Sequence, residues 1–228
     1  MNDATIIYCS SCKEDPNFEA RIVENLLATK GDLPIISVTQ KPMDLGKNIC
    51  VGENIGVSGF NFFRQVLIGC KAADTDFIIS AEADCMYPPD YFTYRPPRND
   101  KCYRNSNLYV MPDYRDYFFY KEEGATHSQI VGREFYIKIL EKLFVGAPKW
   151  STEEFNFPKE RHRKVDVFEP GDIEYYRTEN PVFQVKTHKG MRYYTHSDRT
   201  PIPEIPYWGL GAPIRKWLIK GKEKPSHL

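Results

Sequence analysis

The segment Phe77-Ile78-Ile79-Ser80-Ala81-Glu82-Ala83-Asp84-Cys85-Met86-Tyr87-Pro88-Pro89 decides how this chain of 228 residues is read. An apolar run meets two carboxylates spaced i, i+2, and a Pro-Pro turn follows at once. Residues two apart on an extended strand face the same way. Glu82 and Asp84 are therefore expected to present hard oxygen ligands together at a strand's carboxyl end, where open α/β sheets place their ligands.

Upstream, strand and helix alternate. Thr5 to Tyr8 reads as a short buried strand ending in the polar turn Cys9-Ser10-Ser11-Cys12. Asp15-Pro16 supplies an N-cap and a proline at the first helical position. Phe18, Ile22 and Leu26 continue as an apolar stripe to about Ala28. Pro34 to Thr39 is a second strand, Lys41 to Ser58 a glycine-punctuated loop, and Phe60 to Ala73 a second helix. With Asp76 to Ala83 as the third strand, the alternation implies a mostly parallel, helix-covered sheet. Ser10 and Ser11, at the first strand's end, fall where doubly wound folds place a nucleotide.

Downstream the rhythm breaks. Tyr91 to Asp116 is rich in Tyr, Arg, Asn and Pro, with short strands read at Leu108–Met111 and Phe118–Tyr120. Arg133 to Phe144 is a periodic helix, and Trp150 to Phe157 begins an acid-rich helix or turn. Short strands are read at Val165–Phe168 and Val182–Lys186, followed by a proline-rich stretch from Pro201 to Pro206. The expectation is one domain over residues 1–228, with residues 1–90 facing a nucleotide and residues 91–228 forming an irregular, aromatic- and proline-rich acceptor part.

Composition narrows the class. Lys+Arg and Asp+Glu balance at 31 each, so the overall field favours no particular partner. No apolar run approaches the roughly 20 residues of a membrane span, and residues 1–5 lack the basic and apolar regions of a secretory leader. A cytoplasmic protein is expected. Six cysteines are too sparse for a disulfide scaffold, and the single pair Cys9/Cys12 reads as small residues flanking a ligand loop.

The series "NIGVSGFNFFRQVLIGCKAA", strand, "AEAD" resembles the GT-A glycosyltransferases, nearest to the family-2 type. The resemblance implies a Rossmann-like sheet with helices on both faces and a nucleotide-sugar donor, most readily a UDP-sugar. It puts Glu82-Ala83-Asp84 in the family's Asp-x-Asp slot and Arg64-Gln65 near its Arg-Asn position. His127 to Tyr136 is similar to the strand and helix leading to the acidic acceptor motif, matched by Glu153-Glu154 in "WSTEEF". Lys186 to Arg192 is similar to the late segment that supplies a metal-binding histidine, His188.

The implied roles follow. Asp84, with Glu82 and His188, would hold Mn²⁺ or Mg²⁺ against the diphosphate. Asn54, Arg64 and Gln65 would contact base, ribose or phosphate, and Lys189 and Arg192 the diphosphate. Glu154, or Glu153, would act as general base in an inverting transfer. His127 and His196 are alternatives to His188, while Trp150, Tyr207 and Trp208 are candidate stacking surfaces. The basic run Arg161 to Lys164 would suit a phosphate-bearing acceptor. The acceptor hydroxyl is open among a saccharide, a protein and a hydroxylated nucleic-acid base. A nucleotidyltransferase is an alternative, although Cys9 to Lys13 lacks the glycines its phosphate loop needs. A non-catalytic sugar-nucleotide-binding module is another.

Overall fold

The computed structural model describes residues 3–121, 124–152, 173–187 and 198–228. Its first strand, β1 (Ala4–Ser10), is buried along its whole length and forms the axis of the main sheet. β2 (Ile35–Thr39) pairs parallel to one edge of β1, and β4 (Phe77–Glu82) pairs parallel to the other. Strands covered on both faces read as continuous apolar runs, which is why Ile-Ile-Ser-Val-Thr and Phe-Ile-Ile-Ser-Ala were legible. Beyond β2 lies β3 (Lys47–Cys50), a parallel edge strand inside the expected loop. Its sequence, Lys-Asn-Ile-Cys, has no alternating apolar face; backbone pairing and Asn48 hold it.

Past β4 the sheet continues through β9 (Gln129–Gly132), β6 (Cys102–Asn105) and β10 (Ile173–Tyr176). The full order is β10-β6-β9-β4-β1-β2-β3. β9 runs antiparallel to both its neighbours, while every other described pair in this sheet is parallel. The architecture is thus the mostly parallel α/β sheet expected from the sequence.

Helices α2 (Gly59–Ala72) and α3 (Arg133–Leu143) cover one face, burying Phe60, Phe63, Val66 and Leu140 over Ile7, Val38 and Ile78. The other face is shared by α1 (Pro16–Thr29) and a second sheet of β5 (Cys85–Met86), β11 (Val182–Lys186), β7 (Leu108–Pro112) and β8 (Phe119–Tyr120). The helix-covered second face expected from sequence is therefore only partly helical. Asp15 caps α1, accepting from the amides of Asn17 and Phe18 at 3.0 and 3.1 Å. Such a cap is worth about 1 kcal/mol.

The proline-rich end forms a small hairpin of β12 (Glu204–Ile205) and β13 (Gly209–Leu210), followed by α4 (Gly211–Leu218). Trp208 is fully buried there, and its indole N–H donates to the Pro181 carbonyl at 2.6 Å. It packs edge-on against Phe183 in the core under the second sheet, so it offers no stacking surface to a ligand. The expected strand Val165–Phe168 and the basic run 161–164 lie outside the described residues.

Candidate functional site

Four parallel strands end on the same side of the sheet, and the cleft opens there. Its wall is built by short-range polar bonding. Gln65, buried on α2, donates its side-chain amide to the carbonyls of Ser10 (3.1 Å) and Val38 (2.6 Å), tying the ends of β1 and β2 together. Ser10 is buried, and its hydroxyl accepts from the Cys12 amide at 2.9 Å. That bond stabilises a tight turn in which Cys12 takes φ 54°, an uncommon conformation for a residue other than glycine. Ser10, Ser11, Gln65, Glu82 and Asp84 all line this one cleft.

The rim beside this wall was not singled out in the sequence. Gln40 donates to the Gly56 carbonyl at 2.8 Å, and the Asn61 side chain donates to the carbonyls of Ile55 and Gly56 at 2.6 and 3.2 Å. Ser58 caps α2, accepting from the Asn61 amide at 3.1 Å. These same side chains hold a distant part of the chain. Ser58 donates to the Ser151 carbonyl at 2.6 Å, and the Ser151 amide donates to Asn61 Oδ1 at 2.8 Å. Gly56 admits Thr152 so closely that a Cβ there would lie 2.1 Å from the threonine methyl. Seen in sequence, this region shows only Asn and Ser near a helix start, a signal for capping.

The acidic pair sits on the floor. Glu82 ends β4, but Asp84 lies in the tight turn that carries the chain from β4 into β5, between the two sheets. The expected convergence on one extended strand is corrected accordingly: the turn, not strand alternation, brings the two carboxylates together. Ligand atoms of Glu82, Asp84 and Cys85 all lie within 4.8 Å of one another. Asp84 is firmly placed. Its carboxylate accepts from Gln184 Nε2 at 2.8 Å and from the Cys85 thiol at 3.2 Å, and its carbonyl accepts from the Val185 amide at 2.8 Å. Burial, then the adjacent Asp84 and Glu82 charges, push the Cys85 thiol well above its usual range. In this structure the thiol acts as a hydrogen-bond donor to Asp84. Two carboxylates form a hard oxygen donor set suited to Mg²⁺ or Mn²⁺.

Other sequence candidates fall elsewhere. The Arg64 guanidinium lies 3.8 Å from the Phe144 ring centroid and donates to the Pro148 carbonyl at 2.8 Å. It clamps the end of α3 and does not line the cleft, because its position on α2 faces that helix. Asn54 is exposed, with φ 68°, and does not line the cleft either. Cys9 is buried and its thiol is pushed up, chiefly by that burial; neither Cys9 nor Cys12 is in a disulfide. Glu153, Glu154, His188, Lys189, Arg192 and His196 lie outside the described residues. The chain on their near sides is described: Ser151 and Thr152 rest on the cleft rim, and Thr187 donates to Glu14, which lines the cleft, at 2.8 Å.

No protein-family model matches the sequence, and no curated protein matches it. Solved structures do resemble it. Residues 1–349 of TarS from Staphylococcus aureus share 9% identity, with 81% of this chain and 60% of that one covered at a TM-score of 0.44. A glycosyltransferase involved in glycosylation of the major capsid of PBCV-1 shares 11% identity, with 79% and 91% covered at 0.45. The mannosyltransferase PcManGT from Pyrobaculum calidifontis, solved with GDP-Man and Mn²⁺, shares 13% identity, with 64% and 48% covered at 0.37. The chain thus spans 60% of the TarS fragment's length. Likenesses this distant carry no residue correspondence. Among the described residues, the chain's own sheet is mostly parallel with one reversed strand, β9, and carries two carboxylates where β4 ends.

Proposed function

We propose that the chain is a metal-dependent, inverting glycosyltransferase that moves a sugar from a nucleotide-sugar donor, most readily a UDP-sugar, to a hydroxyl acceptor. The observation that carries this reading is the Glu82/Asp84 turn on the floor of a cleft walled by Ser10, Ser11 and Gln65. Asp84 and Glu82 would hold Mn²⁺ or Mg²⁺, with His188 as a further ligand. A bound divalent ion would neutralise the diphosphate and stabilise the departing nucleotide.

The remaining work falls to side chains. Gln184 holds one Asp84 oxygen at 2.8 Å, fixing how the carboxylate faces the cleft. Ser10 and Ser11 would border the nucleotide, while Lys189 and Arg192 would neutralise diphosphate oxygens. Glu154, with Glu153 as alternative, would take the proton of the acceptor hydroxyl as its oxygen attacks the anomeric carbon. Support for that assignment is the anchoring of Ser151 and Thr152 on the cleft rim, next to the acid pair in sequence.

The test is a thermal-shift and hydrolysis screen of UDP-, GDP- and dTDP-sugars with and without Mn²⁺. Stabilisation by at least one of them that requires the metal is the expected result. If every nucleotide sugar leaves the melting temperature unchanged in Mn²⁺, the reading fails.

A further inference from the structure

β11 divides its side chains between two surroundings. Phe183 and Val185 pack into the core with Met86, Met111 and Trp208. Val182 packs on the opposite side, with Ala81, Cys85 and Leu108 of the main core. Gln184 and Lys186 follow Val182 on that second face, because alternate residues of a strand point the same way. From there Gln184 reaches the Asp84 carboxylate, donating at 2.8 Å. Lys186 stands about 7 Å further along the same face, toward the strand's carboxyl end.

The backbone around Lys186 is fixed from three directions. The Val185 amide before it donates to the Asp84 carbonyl at 2.8 Å, and its own carbonyl accepts from the Asp113 amide at 3.1 Å. The Thr187 hydroxyl after it donates to Glu14, on the cleft wall, at 2.8 Å. The side chain is half-buried, yet its ammonium forms no ion pair among the described residues. Arg215, beneath the neighbouring turn after β7, is by contrast held by Asp116. The Lys186 charge is felt by the Cys85 thiol, which donates to Asp84, and by the buried His127 imidazole. Asp84 already accepts from Gln184 and Cys85, so its placement does not depend on Lys186. A long-stemmed cation on an anchored strand, beside two carboxylates that suit a divalent ion, adds a second positive centre for adjacent phosphates.

We propose that Lys186 is a catalytic residue that binds the diphosphate of the nucleotide-sugar donor and stabilises it as it leaves. This inference rests on the nucleotide-sugar reading above and adds the cation that meets the leaving group. In the transfer, the acceptor oxygen bonds to the anomeric carbon while the bond from that carbon to the phosphate oxygen breaks. The electron pair goes to the phosphate oxygen and the hydroxyl proton to the carboxylate base. Lys186 keeps its protons and hydrogen-bonds the phosphate oxygens on which charge grows.

Two binding measurements with opposite expected signs test this on wild type, Lys186→Met and Lys186→Arg. Mn²⁺ binding without nucleotide would be followed by water proton relaxation. UDP and GDP binding in saturating Mn²⁺ would be followed by titration calorimetry. Removing a cation beside the carboxylates should leave Mn²⁺ affinity unchanged or raise it by up to about threefold. Lys186→Met should nevertheless lose about tenfold in affinity for the nucleotide that wild type binds, and Lys186→Arg should recover it to within about threefold. Single-turnover hydrolysis of the matching nucleotide sugar should fall further, by about 10²-fold, because charge on the departing oxygen grows as the bond breaks. Lys186→Met that binds the nucleotide within about twofold of wild type would overturn the assignment while the nucleotide-sugar reading stands. A variant that loses Mn²⁺ and nucleotide affinity together would overturn it too, since Lys186 would then merely shape the turn. Wild type that binds Mn²⁺ but neither nucleotide would instead bring down the nucleotide-sugar reading, and the role of Lys186 with it.

Discussion

The two sides of β4 handle polar groups in opposite ways. On the side of β1, β2 and α2, the polar side chains bond one another and the backbone: Gln65 to Ser10 and Val38, Gln40 to Gly56, Asn61 to Ile55, Gly56 and Ser151. On the side of β9, His127 Nε2 and Ser128 Oγ are buried with no such partner among the described residues. The first side is built in advance, with its donors and acceptors already satisfied, and such preorganisation suits a ligand part that is always the same. Between them lies Asp84, placed by Gln184 and Cys85.

The sharpest way to break this contrast is at the floor. Asp84→Ala is expected to lower metal-dependent donor turnover by about 10²-fold or more while leaving the fold intact, checked by single-turnover hydrolysis and circular dichroism. The prebuilt side should come next. Asn61→Leu removes the bonds to Ile55, Gly56 and Ser151 together and leaves buried groups unpaired, so a loss of about 2–3 kcal/mol in urea unfolding is expected. Arg64→Met takes a cation from the Phe144 ring and a donor from Pro148, outside the cleft. It should cost about 1 kcal/mol of stability and leave nucleotide affinity unchanged. A drop in nucleotide affinity there would put Arg64 back in the site.

The remaining effect belongs to the β9 side of β4 and depends on pH. His127 in the folded chain has its pKa well below the ordinary value, chiefly through burial. Above about pH 6.5 both folded and unfolded chains carry it neutral, and its full contribution is present. As pH falls below that value, the unfolded chain takes up a proton that the folded chain refuses, so stability declines. The slope is at most about 1.4 kcal/mol per pH unit, and His127→Gln should flatten it between pH 6.5 and 5.

Legibility in the sequence follows the same divide. The strands buried on both faces and the capped helix α1 announce themselves by apolar runs and by Asp15-Pro16. So does the carboxylate pair, although the turn at Asp84 hides in what reads as continuous strand. β6 was not legible because Cys-Tyr-Arg-Asn buries polar side chains whose partners are remote in sequence; Asn105, for one, donates to Thr178 at 2.8 Å. The rim residues Gln40, Ser58 and Asn61 were missed for the same reason, since Ser151, which two of them hold, lies about ninety positions away. Arg64 was misplaced because a helix position fixes a face but not what that face meets. α4 was hidden by the prolines around it, although Ile214, Trp217 and Leu218 have helical spacing.

The most direct measurement is calorimetric titration of UDP and a UDP-sugar into wild type and Asp84→Asn, with Mn²⁺ and then with excess chelator. Binding that requires Mn²⁺ in wild type and weakens by about tenfold or more in Asp84→Asn is the expected result. Equal binding by both proteins, or binding indifferent to the chelator, would contradict a metal-held nucleotide sugar at the Glu82/Asp84 turn.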